Sequence, residues 1–337
     1  MTASSLPARA VSADEAGERR IQASSAGGSC PRDYTIVLIP DTQYLSQDHP
    51  QHFDALSHWI ADNKDTRNIE LVLHLGDIVN DGDDLEQWEK AAGPLDLLYG
   101  LGIPMVTCVG NHDHQGDIGD RDTTHYNDYV GLDRYLGSAN SGESPRVPWF
   151  DGDFLQPDRS DNLYLRVDLG GRPTLVLVLE FFPRKAVMAW ADQVIEAHPG
   201  HEVTVLTHAY LSNDGVRTRD GDPHGPATYP GIATDAMSGQ RMWDEHLRHH
   251  PNIVAVYNGH HITGPNIAHR CDDADPGNRV FQQFANWQKE PEGGEGRIVL
   301  HTVAASTGAT KRQVYNAARE RFEEEYELTV PGRHVGR

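Results

Sequence analysis

Thiols are scarce in this chain: Cys30, Cys108 and Cys271 are the only cysteines among 337 residues. Their wide spacing supports neither a zinc ribbon nor a disulfide scaffold. Long hydrophobic runs are missing too. No apolar stretch approaches the roughly 20 residues a membrane helix needs, so no membrane segment is expected. Basic residues are also few, 29 Lys and Arg against 50 Asp and Glu, for a formal charge of −21. A surface so negative repels nucleic-acid backbones and anionic lipid, which argues against a dedicated nucleic-acid binder or a peripheral membrane protein. A locally cationic pocket could still take a small phosphate.

What is present reads as globular. Apolar residues make up 38% and charged residues 23% of the chain, enough for a sizeable core in one large α/β domain or two smaller ones. Residues 1–32 are Ala, Ser, Gly and charge without hydrophobic periodicity, the pattern of a flexible tail, with order expected from Tyr34. The first residues also lack the apolar core of a secretory signal, so the expectation is cytoplasmic, or secreted if a signal peptide once preceded them.

From Tyr34 a motif recurs: a short apolar run, a polar cluster, then an amphipathic stretch. Buried strands are expected at 35–40, 69–76, 103–110, 201–207 and 252–259, and helices at 52–63, 85–100, 184–198 and 239–250. Gly93-Pro94 should break or kink the second helix. Further strands at 162–169, 173–181, 279–287 and 297–303 have less helix between them and read as antiparallel or mixed. The expected fold is a four-layer αββα sandwich, two mixed β-sheets flanked by helices, in a single domain over 33–330. Polar insertions at about 111–161 and 211–235 interrupt it, and loops that long are more often functional than idle.

The chemistry lies at the ends of the five strands expected to be buried, at 35–40, 69–76, 103–110, 201–207 and 252–259. Asp41-Thr42-Gln43, Asp77, Asn111-His112-Asp113, His208 and His260-His261 come there in turn. Strand ends in layered α/β proteins share an edge, so residues far apart in sequence can converge on it. A mixed Asp, Asn and His set suits Mn, Fe, Zn or Co better than a thiolate site would. Taken singly, each has a plainer role: Asp41 and Asp77 as helix caps, Asn111 as a turn residue, His208 and His260 as hydrogen-bonded core histidines.

Taken together, Asp41-x-Gln43, Gly76-Asp77-x-x-Asn80, Gly110-Asn111-His112-Asp113, His208 and Gly259-His260 resemble the ordered motifs of the calcineurin-like metallophosphoesterases. The stretches HWIADNKDTRNIELVLHLGDIVNDGD and FANWQKEPEGGEGRIVL are similar to bacterial members. The resemblance implies a hydrolase acting on phosphoric esters with one or two metal ions, Mn, Fe or Zn, and a small phosphorylated or diphosphate-containing substrate as its partner. Asp77 would bridge two metals, Asp41 and Gln43 would hold the first, and Asn111, His208 and His260 the second. A metal-activated hydroxide would attack phosphorus in line, with His112 assisting the leaving group and Asp113 orienting His112.

This chain departs from the family pattern twice. The first motif usually reads Asp-x-His, and here Gln43 stands at its end, as in some family members with diphosphate-type substrates. The last motif usually reads Gly-His-x-His, and here Ile262 replaces the final histidine. Both losses fall on the first metal, whose site is expected to be weak, solvent-filled or completed from a loop. His261 points away from His260 in an extended segment and is no obvious replacement, whereas His114 is a candidate for support or for the vacant place. Two other readings stand beside the hydrolase: a metal-binding scaffold that has lost catalysis, or the same centre used on a bond that is not a phosphoester. Asn80 and Tyr210 adjoin the motifs and are expected to bind substrate, with Tyr44 and the 211–235 loop around them. His74 reads as packing or support, the His249-His250 pair as the end of an exposed helix, and Glu323-Glu324-Glu325 as a solvated face.

Overall fold

The computed structural model describes residues 31–118, 121–137 and 147–332. The expected N-terminal tail therefore lies outside the described residues except for its last two positions, and Arg32 already bonds its N–H to the Gly170 carbonyl at 3.2 Å. From Pro31 onward the described residues form one compact unit.

Two mixed sheets make the centre. In the first, β1 (Tyr34–Ile39), β2 (Ile69–His74) and β3 (Met105–Thr107) run parallel, and β11 (Arg297–Val303) joins the other side of β1 antiparallel. β12 (Thr310–Asn316) extends that edge and pairs in turn with β13 (Arg321–Phe322) and β14 (Leu328–Val330). The second sheet has the order β4 (Gly152–Phe154), β5 (Leu163–Leu169), β6 (Arg172–Leu179), β7 (Glu202–Thr207), β8 (Ile253–Asn258), β10 (Arg279–Ala285), β9 (Ile267–Asp273). Its middle strands, β6, β7, β8 and β10, are parallel neighbours.

The period of two in β6 shows how the layers stack. Val176 and Val178 join the core shared with the first sheet, whereas Leu175, Leu177 and Leu179 pack with Val187, Met188, Ala191 and Ile195 of α6 (Lys185–Ala197). On the far side, Phe53, Leu56 and Ile60 of α2 (Pro50–Asn63) and Trp88, Leu95 and Leu98 of α3 (Leu85–Tyr99) cover the first sheet. The αββα sandwich is therefore the observed fold. A short helix α1 (Gln43–Asp48) precedes α2, and α7 (Gly239–Glu245) lies with α6. No described helix is long and apolar enough to cross a membrane.

Several expectations change. Pro94 does not break α3, which runs through it from Leu85 to Tyr99; the helix buries Pro94 beside Leu95 and Leu98, and that packing outweighs one missing N–H. The 111–161 insertion is not all loop, since it holds α4 (Thr124–Val130), α5 (Asp133–Leu136) and β4. The helix expected over 239–250 ends at Glu245, and His250 is buried with its Nε2 2.8 Å from Asp192, tying this corner to α6. Glu323 is not solvated. It is buried in a two-bond pairing with Arg297 at 2.8 and 2.9 Å, while Glu324 and Glu325 stay exposed.

Candidate metal centre

Residues from five strand ends meet where the two sheets abut. β1, β2 and β3 deliver Asp41, Asp77 and Asn111 from the first sheet; β7 and β8 deliver His208 and His260 from the second. Backbone bonds hold the strand ends together: Leu75 N–H to the Ile39 carbonyl at 2.9 Å, Thr42 N–H to the Asp77 carbonyl at 3.0 Å, and Gly259 N–H to the His208 carbonyl at 3.0 Å.

Glycine before three of the motifs makes this approach sterically feasible. A Cβ at Gly110 would sit 2.1 Å from Asp77 Oδ1 and 2.2 Å from its backbone nitrogen, and a Cβ at Gly259 2.1 Å from Asp41 Oδ1. At Gly76, where φ is +92°, it would meet His208 Nδ1 at 2.7 Å. Asp77 and His260 themselves take left-handed backbone, φ 52° and 83°. Such conformations in residues with a Cβ cost about 1–3 kcal/mol each and tend to gather at functional sites.

The donor atoms converge as a cation would require. Asp77, His208 and His260 each offer a ligand atom, and those atoms lie within 4.8 Å of one another, all three side chains buried. His208 donates Nδ1–H to the Leu75 carbonyl at 2.6 Å, so Nε2, 3.1 Å from Asp77 Oδ2, is the nitrogen left to ligate a cation once its proton is gone. His260 Nε2 lies 3.2 Å from the His224 carbonyl, to which it donates, leaving Nδ1 as the lone-pair nitrogen. Asn111 Oδ1 and Gln43 Oε1 are buried without a hydrogen-bond partner. Leaving two such acceptors unsatisfied costs about 1–3 kcal/mol apiece, a penalty that a bound cation removes. The residues present therefore fit a divalent metal.

Electrostatics follow from burial and proximity. Burial would raise the Asp77 pKa, but the His208 and His112 imidazoles hold it well below the usual carboxylate range. Burial would likewise lower His208, yet the Asp77 and Asp41 carboxylates push it up to about 9. Asp41 is raised well above its ordinary value, by burial first and by Asp77. His260 is held neutral by burial and by the neighbouring His261 and His208.

His112 lies at the half-open edge of the cluster. Its backbone N–H donates to Asp77 Oδ1 at 2.9 Å, and its Nδ1–H to the Asn80 carbonyl at 2.8 Å, leaving Nε2 as the nitrogen able to meet a substrate. Asp113 has a different task from the one expected. Fully buried, it accepts Ile78 N–H at 2.7 Å and Val79 N–H at 3.3 Å on Oδ1, and Gly110 N–H at 2.8 Å on Oδ2. It thus splices the β2 and β3 loops, while the Asn80 carbonyl orients His112. Burial and Asp77 push Asp113 up to about 7, against the pull of those N–H donors.

The expected substrate residues divide. Asn80 is at the mouth, its Oδ1 accepting Gln43 Nε2–H at 2.8 Å. Tyr210 is not at the mouth. It is fully buried in the core between the second sheet and its helices, with its hydroxyl donating to Gln282 at 3.0 Å and accepting from Arg217 at 2.9 Å, because the chain after His208 turns into that core. Tyr44 lies at the surface against Lys289, 3.3 Å away. His74 is a support. Its Nδ1 accepts Gly76 N–H, so Nε2–H donates to Thr42 Oγ1 at 3.0 Å, and that hydroxyl donates to the Ile78 carbonyl. His114 and His261 are buried beside the cluster, each with one ring nitrogen lacking a hydrogen-bond partner.

Three neighbours escaped the sequence reading. His224 and Tyr229, from the 211–235 insertion, reach His260 Nε2 through the His224 carbonyl and the Tyr229 hydroxyl, the latter at 3.4 Å. Nothing in their local sequence signals this. Asn286 could have been found, since it comes directly after β10 as the other ligand candidates come after their strands.

The model of the calcineurin-like phosphoesterases matches residues 34–291. The chain belongs to that family. It is 29% identical over 272 residues to the uncharacterized protein YvnB of Bacillus subtilis (strain 168), a match that covers 79% of this chain and 18% of that protein. Among solved structures, the purple acid phosphatase PPD1 of yellow lupin (Lupinus luteus) seeds superposes with a TM-score of 0.51 at 11% identity, over 89% of this chain and 54% of the lupin chain. The likeness to the lupin enzyme is one of fold. The chain spans about a fifth of the length of the Bacillus protein and about half of the lupin one.

Proposed function

We propose that this chain is a metal-dependent hydrolase of phosphoric esters, acting on a small phosphorylated or diphosphate-containing molecule. The observation that carries the reading is the set of Asp77, His208 and His260 donor atoms within 4.8 Å of one another, next to the unsatisfied buried oxygens of Asn111 and Gln43. Asn111, His208 and His260 with Asp77 would hold one ion, and Asp41 and Gln43 with Asp77 a second. A bound divalent cation supplies Lewis-acid polarisation of a phosphoryl oxygen and a lowered pKa for water.

The chain's own groups do the rest. His112, with Nδ1–H anchored on the Asn80 carbonyl, presents Nε2 to the leaving-group oxygen, where it gives up a proton or stabilises developing charge. Asn80, joined to Gln43, stands beside it to meet the substrate. A small substrate is favoured because the −21 charge repels a long polyanion from the surface, while a cation offsets that charge only locally.

The test is turnover of an aryl phosphate, an aryl diester and a diphosphate by EDTA-treated protein reloaded with Mn²⁺, Fe²⁺ or Zn²⁺, with Asp77→Ala alongside. Metal-restored hydrolysis that Asp77→Ala abolishes is the expected result. Full activity in Asp77→Ala, or no turnover of any ester with any metal, overturns the reading; the second outcome would leave a metal-binding scaffold.

A further inference from the structure

Asp41 belongs to the half of the centre where Gln43 and Ile262 stand in place of two histidines. Its carboxylate is buried, and the backbone N–H of His260 reaches its two oxygens only at 3.4 and 3.2 Å. Its short bond comes from Asn286, whose Nδ2 is 2.7 Å from Asp41 Oδ2.

Asn286 is 3% exposed and its amide orientation is dictated by its surroundings. The Gln288 N–H donates to Asn286 Oδ1 at 2.9 Å, so the oxygen end is committed and the NH₂ end must face Asp41. A flipped amide would set NH₂ against N–H at one end and oxygen against carboxylate at the other. The Asn286 backbone N–H is itself bonded to the Asn266 carbonyl at 2.8 Å, which fixes the exit of β10. β10 is the parallel neighbour of β8, so this exit lies beside the Gly259-His260 turn that leads to Ile262.

We propose that Asn286 is the positioning residue for Asp41: it orients the carboxyl group from outside the five motifs, and so sustains the half of the centre that has lost its histidines. A short bond from a rigid buried amide replaces some of the order that an additional ligand would have given. Asn286 acts through Asp41 and touches no substrate.

This inference rests on the cation-binding part of the functional reading, and metal titration separates the two. EDTA-treated wild type, Asn286→Ala, Asp41→Asn and the double variant are titrated with Mn²⁺ by calorimetry and by metal analysis after equilibrium dialysis. The binding step weakened in Asp41→Asn identifies the Asp41-dependent site. Asn286→Ala is expected to weaken that same step about 10–100-fold, to leave the remaining binding unchanged, and to add little in the double variant. Asn286→Ser keeps a polar group at the buried position but is too short to reach Asp41, so it serves should the alanine variant misfold.

A titration of folded Asn286→Ala or Asn286→Ser superimposable on wild type overturns the inference and leaves the functional reading standing. So does a loss that adds in full to that of Asp41→Asn. Wild-type protein that binds no Mn²⁺ overturns both.

Discussion

Replacing Asp113 with alanine distinguishes a splice between loops from an orienting partner for His112. The carboxylate takes two short bonds, from Ile78 N–H at 2.7 Å and Gly110 N–H at 2.8 Å, and one longer bond from Val79 N–H at 3.3 Å, all away from solvent. In Asp113→Ala at least two of these donors are left unsatisfied, at about 1–3 kcal/mol each, or about 2–6 kcal/mol together. Folded domains carry roughly 5–15 kcal/mol of net stability, so the variant should be severely weakened but able to fold in the cold. At about 2–4 °C per kcal/mol the melting temperature should fall by about 5–20 °C. Asp113→Asn keeps one acceptor and should lose about half as much.

The loss should also appear in EDTA, because the bonds join backbone to carboxylate and need no cation. Thermal melts with and without metal, set beside kcat at a temperature where both proteins are folded, provide the assay. A melting temperature unchanged within about 2 °C together with a hundredfold fall in kcat would rule out the splice and return Asp113 to the role of orienting His112.

Two further outcomes are expected. His112→Ala should retain its full metal content and melting temperature while kcat falls about 10²–10⁴-fold; an unchanged kcat would remove His112 from the chemistry. Cation binding should release a proton, since His208 has a pKa of about 9 in the cation-free protein and must be neutral to ligate. Affinity should therefore rise at least about tenfold per pH unit between pH 7 and 9, with one proton or more released by calorimetry in buffers of different ionisation enthalpy, and pH-independent affinity would contradict this. The sign for stability is opposite. The raised His208 value stabilises the cation-free fold fully below its ordinary 6.5, and the contribution is lost as pH climbs through 9.

The alternation of apolar runs with amphipathic stretches made the two sheets and the large helices readable, because burial on both faces leaves a continuous Val, Ile and Leu signature in strands such as β1, β2 and β7. β9, β13 and β14 escaped because they lie at sheet edges, where β9 is only partly buried and carries charge: Ile267–Asp273 reads as loop until its ladder with β10 is seen. β12 is paired on both sides, but its sequence TKRQVYN is too polar to read as a strand. Among the candidate site residues, Asp77, His208 and His260 were visible as metal-competent residue types placed just after strands. The role of Asp113 was not, since a carboxylate that bonds backbone N–H groups in two loops looks the same in sequence as one that bonds a histidine. Tyr210 misled for a related reason: nearness in sequence to His208 says nothing of which way the chain turns, and here it turns into the core. His224 and Tyr229 meet His260 only through loop geometry, which no local pattern specifies.

Whether Asp77, Asn111, His208 and His260 hold a cation decides most of the chemistry assigned to this protein. Anomalous diffraction from crystals grown with Mn²⁺ or Zn²⁺, collected on both sides of the metal edge, answers it. A peak is expected about 2.0–2.2 Å from His208 Nε2, Asn111 Oδ1 and an oxygen of Asp77. Ordered crystals at saturating metal with no peak in that cluster, or with their strongest peak elsewhere, would contradict the assignment.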